Sequence, residues 1–97
     1  MPNFVWNEEK AATLHCDVKR RNVGFEECVH ALENGKMIVD FPNPSPQFPH
    51  QRIFIIDINK YAYVVPYLPS EDYIFLKTVF PSRKYTAIYL KDTKNEH

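Results

Sequence analysis

Three cations near the C-terminus sit where local preference disfavours them: Lys77, Arg83 and Lys84. Lys77 falls inside the run Tyr73 to Phe80, whose aromatic and β-branched residues read as a strand, where a charge is unusual. Pro81 is expected to stop that strand, because it donates nothing to a ladder. Ser82 is expected to cap a short helix carrying Arg83, Lys84, Tyr85, Ile88 and Tyr89. Arg83 and Lys84 then occupy the first helical turn, which the helix dipole makes a poor place for positive charge. Cations held against such preferences point to an anion nearby.

The chemistry that fits is metal-free cleavage of RNA, in which the 2′-hydroxyl attacks the adjacent phosphate. It needs a base, an acid for the leaving oxygen, and cations on the crowded phosphate. Arg83 is the first choice for the phosphate clamp, since a guanidinium grips two oxygens at once; the plain alternative is a surface salt bridge. Lys77 is either a second clamp or the base, because Arg52, Arg83 and Lys84 around it would disfavour its charged form. Its alternative is a lysine snorkelling at a strand edge. Arg52 and Tyr67 form a second candidate pair, with Tyr67 stacking on a base or donating its hydroxyl to phosphate. Tyr63 and Lys84 join Tyr67 as RNA-binding candidates, against the alternative that the tyrosine-rich strand is ordinary half-buried sheet. His50, two residues before Arg52, is a candidate acid or base, or else an exposed loop histidine. His15 with Cys16 and Cys28 with His30 lack metal-ligand spacing, so neither metal nor cofactor is expected. Gly24 and Gly35, the only glycines, cannot make a phosphate-cradling loop, and Ser45, Ser70 and Ser82 lack a nucleophile-elbow context.

The elements that must position these groups belong to a chain of 97 residues, short enough to be read as a single domain over 1–97. No apolar run is long enough for a transmembrane helix, and the start MPNFVWNEEK lacks signal-peptide order, so a cytoplasmic protein with two reduced cysteines is expected. Net charge is zero but uneven: residues 1–72 hold seven Lys/Arg against ten Asp/Glu, and residues 73–97 five against two. The basic C-terminal quarter suits phosphate and the acidic remainder does not.

Phe4-Val5-Trp6 reads as a brief edge strand or docking segment. Asn7 caps a first helix reaching Arg21, with a weak stripe of Ala11, Ala12, Leu14 and Val18. Phe25, Cys28, Val29 and Leu32 mark a second helix, ended by Asn34-Gly35. Met37 to Phe41 is a strand, and FPNPSPQFPH over 41–50 is a stiff, extended loop. Arg52 to Ile58 reads as a central strand, and a two-residue turn at Asn59-Lys60 would pair Ile58 with Tyr61 and Arg52 with Tyr67. Pro66 suggests a bulge at the far end of Tyr61 to Leu68. Lys91 to His97 reads as a frayed tail.

FVWNEEK at 4–10, VGFEEC at 23–28, RIFIIDI at 52–58, YAYVVPY at 61–67 and FLKTVFPSRK at 75–84 stand in the order of the blocks of the BrnT-type toxin family. Over roughly residues 4 to 90 the chain resembles that family. The resemblance implies an α+β, RelE-like fold: two N-terminal helices, a four-stranded antiparallel meander and a C-terminal helix. It implies a bacterial toxin–antitoxin operon and a ribonuclease that stalls translation. It also implies neutralisation by a cognate ribbon-helix-helix antitoxin that binds the operator DNA. Departures from the family pattern fall at Gly24, where a capping serine is usual, at Pro49-His50-Gln51, where an acidic pair is usual, and at Lys77, where arginine is usual. The rival expectation is a non-catalytic protein- or nucleic-acid-binding domain of that fold. The enzyme reading makes a geometric demand: Arg52, Lys77 and Arg83 must converge, and Lys77 shares a face with Arg52 only if a bulge or odd loop shifts the register.

Overall fold

The computed structural model describes residues 3–16 and 23–90. The chain runs β1 (Asn3–Val5), α1 (Glu8–His15), α2 (Phe25–Glu33), β2 (Met37–Pro42), β3 (Arg52–Ile58), β4 (Tyr61–Pro69), β5 (Tyr73–Leu76), β6 (Phe80–Pro81) and α3 (Arg83–Tyr89). The class is α+β, but the expected four-stranded antiparallel RelE-like meander is not what forms. The sheet has six strands in the order β1-β5-β4-β3-β2, with β6 on β4. It is mixed, because β1 pairs in parallel with β5, Asn3 against Tyr73 and Val5 against Phe75.

Each helix starts where a polar group can meet its free N–H groups. Asn7 accepts from the Lys10 N–H at 3.0 Å, and Ser82 from the Tyr85 N–H at 3.1 Å. At α2 the glycine offers no cap, and Glu27 instead reaches back to the Gly24 N–H at 2.8 Å. Gly35 ends α2 at φ 74°, in the left-handed region. The first helix ends at His15 with Cys16 as its C-cap, short of the expected Arg21. Val18 of its expected stripe lies outside the described residues, as does the expected frayed tail.

The hairpin of β3 and β4 has the expected register, from Ile58 opposite Tyr61 to Arg52 opposite Tyr67. Asn59 and Lys60 both adopt positive φ, 55° and 67°, which a two-residue turn of matching twist requires. No bulge interrupts β4 at Pro66, which pairs with Ile53. The irregularity lies on the partner strand. From Tyr67 to Val64 is three steps along β4, but their partners Leu76 and Phe80 are four apart. Pro66 accepts from the Lys77 N–H at 2.8 Å and has no N–H of its own to return. The strand opposite therefore loses a rung and carries one extra residue between Leu76 and Phe80. The expected continuous strand to Phe80 is thus broken after Leu76, and Pro81 is the last residue of the short β6.

The proline loop is folded back rather than extended. Asn43 and Gln51 close its base (N–H to O, 2.9 Å), and Phe48 and Gln51 donate to Ser45 and Phe48.

Alternation divides the sheet into two faces. On one, Phe54, Ile56, Val65 and Leu76 meet Leu14 of α1 and Phe25, Cys28 and Ala31 of α2 in the larger core. Trp6 stacks on Phe25 there, ring centres 5.5 Å apart. On the other face Ile53, Ile55, Ala62 and Val64 meet Tyr85, Tyr89 and Leu90. No helix among the described residues is long and apolar enough to cross a membrane.

Candidate nucleic-acid interface

The candidate residues do not form one pocket. Arg52, Tyr67 and Tyr63 fall on the face that carries α1 and α2. Tyr67 and Tyr63 are buried in the larger core, and Tyr67 stacks on Phe54 with ring centres 4.0 Å apart. Neither ring offers a free face to a nucleobase. Asp40 of β2 takes the remaining polar valence. Its two carboxylate oxygens lie 2.7 and 2.8 Å from the Tyr67 hydroxyl, which donates to them. Arg52 donates through Nε to Asp40 at 3.2 Å and to the Tyr67 oxygen at 3.2 Å. Burial first, and the bond to Asp40 second, push the Tyr67 hydroxyl up to about 12, with Arg52 opposing. The bond to Tyr67 leads, and that to Asp40 adds, in holding Arg52 more firmly charged than usual. Arg52 is therefore a half-exposed cation already neutralised by a carboxylate.

Lys77 lies on the opposite face. The turn between β4 and β5 is closed by the Ser70 N–H donating to Tyr73 at 2.9 Å, which sets Tyr67 against Leu76. Leu76 then enters the larger core, and Lys77, one residue on, points away from it. The bulge comes after Lys77 and cannot rescue the parity. Lys77 is exposed, with its ammonium 5.2 Å from the Phe75 ring centre.

Two clefts meet at Lys77 on that face. One, about 440 Å³, is lined by Leu68, Tyr73 and Phe75 among others. The second, about 410 Å³, lies between the proline loop and the β5–β6 bulge, with Phe48, Gln51, Thr78 and Phe80 on its walls and Ile53 and Val64 behind. Among the described residues the Thr78 hydroxyl there is buried without a hydrogen-bond partner. Neither lining contains a carboxylate among the described residues. A larger cleft, about 670 Å³, between α2 and the β3–β4 turn carries Glu26, Glu27 and Asp57, which repel phosphate.

Arg83 and Lys84 are exposed on α3, which packs on the same face as these clefts through Tyr85 and Tyr89. Lys84 lies 5.4 Å from the centre of the Tyr85 ring. Among the described residues neither cation, nor Lys77, has a carboxylate within ion-pair distance; Arg52–Asp40 is the ion pair present. His50 is exposed on the loop whose Phe48 and Gln51 wall the second cleft. Thus Lys77 and the helix that carries Arg83 and Lys84 lie on one side of the sheet, Arg52, Tyr63 and Tyr67 on the other, and His50 is not among the residues that line either cleft.

Sequence reasoning did not single out Asp40, Thr78, Phe48 or Phe80. Asp40 carried a readable signal, a charge within the apolar run MIVDF. Phe48 and Phe80 read as ordinary apolar residues, and nothing in the sequence marks them as 44% and 36% exposed. No group of three or more His, Cys, Asp or Glu among the described residues could hold a metal ion. Comparison with family models, curated proteins and solved structures finds no match for the chain.

Proposed function

We propose that the chain is a cytoplasmic, toxin-type endoribonuclease. It cleaves RNA by metal-free 2′-hydroxyl attack, inhibits translation and is restrained by a cognate antitoxin, a ribbon-helix-helix protein that also holds the operator DNA. The observation that carries this reading is the grouping of Lys77 and Arg83 on one side of the sheet, free of carboxylates among the described residues. Such cations are available to a phosphate, whereas Arg52 is not. The ordered BrnT-type blocks support it further: the last, FLKTVFPSRK, supplies both cations and the bulge between them. In this reading Arg83 and Lys77 hold the scissile phosphate, Lys84 adds charge, and His50 or Lys77 moves the proton. Arg52 and Tyr67 act by holding β2, β3 and β4 together.

Conditional expression tests this. Wild-type protein should arrest growth and yield discrete products on a gel of total RNA, and a co-expressed antitoxin should relieve both. Arg83→Ala should lose both effects, by more than tenfold in cleavage rate, while circular dichroism remains unchanged. Retained cleavage in that variant removes Arg83 from the mechanism. A wild type that neither arrests growth nor cuts RNA overturns the reading.

One observation favours a second reading, a non-catalytic binding domain. His50 is exposed and is not among the residues that line the clefts at Lys77, so no acid–base pair stands assembled there. This reading expects RNA or a partner protein to be retained and RNA to remain intact.

A further inference from the structure

Helix α3 covers only part of its sheet face. Tyr85, Tyr89 and Leu90 lie over Ile53, Ile55, Ala62 and Val64, and among the described residues nothing of α3 covers the β5 and β1 side. On the open side the outward positions are Val5 of β1 and Tyr73, Phe75 and Lys77 of β5 and the residue beyond it. Tyr73 is 43% exposed and Val5 37%. Beyond Lys77 the bulge turns Phe80 outward as well, and Phe48 of the proline loop faces the same cleft. Aromatic rings therefore flank Lys77 on both sides.

An open sheet face with aromatic rings, and cations that no carboxylate among the described residues engages, is what an unpaired polynucleotide requires. Bases stack on the rings irrespective of sequence, and the backbone follows the cations. Residues two apart on a strand place Tyr73 and Phe75 about 7 Å apart, room for successive bases. The cleft past Lys77 adds donors: the Thr78 hydroxyl, without a partner among the described residues, and the Gln51 amide, whose oxygen accepts from Asn43 at 3.2 Å. Donors without carboxylates fit the carbonyl-rich edge of a base or a phosphate oxygen. Arg83 follows Phe80 by three residues, so their Cα atoms lie within about 11 Å. We infer that the Tyr73–Phe75–Lys77–Phe80 face, with Phe48, is a stacking track for single-stranded RNA leading toward Arg83. The inference rests on the proposed action on RNA and names its substrate as unpaired strand, held by rings rather than read by sequence.

The probe is a fluorescent 2′-O-methyl RNA strand of about ten nucleotides, which cannot be cut, offered alone and as a duplex, with binding read by anisotropy. Wild type should bind the single strand at least tenfold more tightly than the duplex. Tyr73→Ser, Phe75→Leu and Phe80→Leu should each weaken single-strand binding about tenfold. Melting temperature is recorded for each, and Tyr73→Ser, at an exposed ring, serves if a core-adjacent variant unfolds. Lys77→Met should lower the slope of log affinity against log salt by about 0.7. Unchanged affinity in folded ring variants overturns the track, as does equal binding of duplex, or no binding by wild type. Ring-dependent binding by a protein that never cuts natural RNA would sustain the track and overturn the enzyme. Normal cleavage by ring-less variants would do the reverse.

Discussion

Asp40 shows how one side chain decides what its neighbours can do. A carboxylate in β2 that meets both Arg52 and Tyr67 satisfies a cation and a buried hydroxyl together. The two groups are thereby withdrawn from chemistry and become a clasp across three strands. The clasp has a pH signature. An unfolded tyrosine releases its proton near 10, while Tyr67 in the fold does so at about 12. Below the lower value both states are protonated and titration contributes nothing. Between the two values the unfolded chain alone has lost the proton, so stability falls as pH rises, and it levels off above the upper one. Tyr67→Phe should be less stable than wild type at neutral pH by about 1–2 kcal/mol. It should also lose stability less steeply through that alkaline window. Denaturant midpoints measured across the window check this, and parallel slopes for the two proteins would refute it.

At the scale of elements, local signals were legible and distant pairings were not. The α2 stripe could be read because Phe25, Cys28, Val29 and Leu32 repeat at helical spacing, and Phe25 and Cys28 are buried. The β3–β4 register was legible because a two-residue turn fixes every later pair. Three residues of β1 carry no mark of a parallel partner some seventy positions later, so that pairing and the mixed sheet escaped. The bulge was half legible: Pro66 announced a missing donor, but not which strand would yield. For the site, residue types were readable and side was not, since one residue of register moves Lys77 across the sheet. The turn at Asn59-Lys60 makes its own prediction. Lys60 holds φ 67°, a conformation that strains a side chain bearing a Cβ. Its N–H donates to the Asp57 Oδ1 at 2.9 Å, a bond that glycine keeps. Lys60→Gly should therefore stabilise the protein by about 0.5–1 kcal/mol. An unchanged or lower melting temperature would show that the turn carries no such strain.

Across the whole molecule the two faces of the sheet are unequally covered, and this inequality links stability to the proposed function. The face under α1 and α2 holds the larger set of buried side chains, including Leu14, Phe25, Cys28 and Leu76. Burial also pushes the Cys28 thiol up, with Glu27 adding to it, so it behaves as a core hydrophobe. The other face is closed by the short α3 over part of its area and is open beyond β4, where the candidate RNA track lies. Folding free energy should accordingly reside on the first face, leaving the second free to exchange water for a ligand. Strand β1 tests this, because its adjacent residues point opposite ways. Phe4 packs against the larger core, whereas Val5 stands on the open face. Phe4→Ala should cost about 2 kcal/mol, and Val5→Ala at most about 0.5. Fluorescence of Trp6, the sole tryptophan and stacked on Phe25, reports unfolding from the same strand–helix junction. Equal losses at the two positions would mean that the open face is covered in the folded protein and unavailable to RNA.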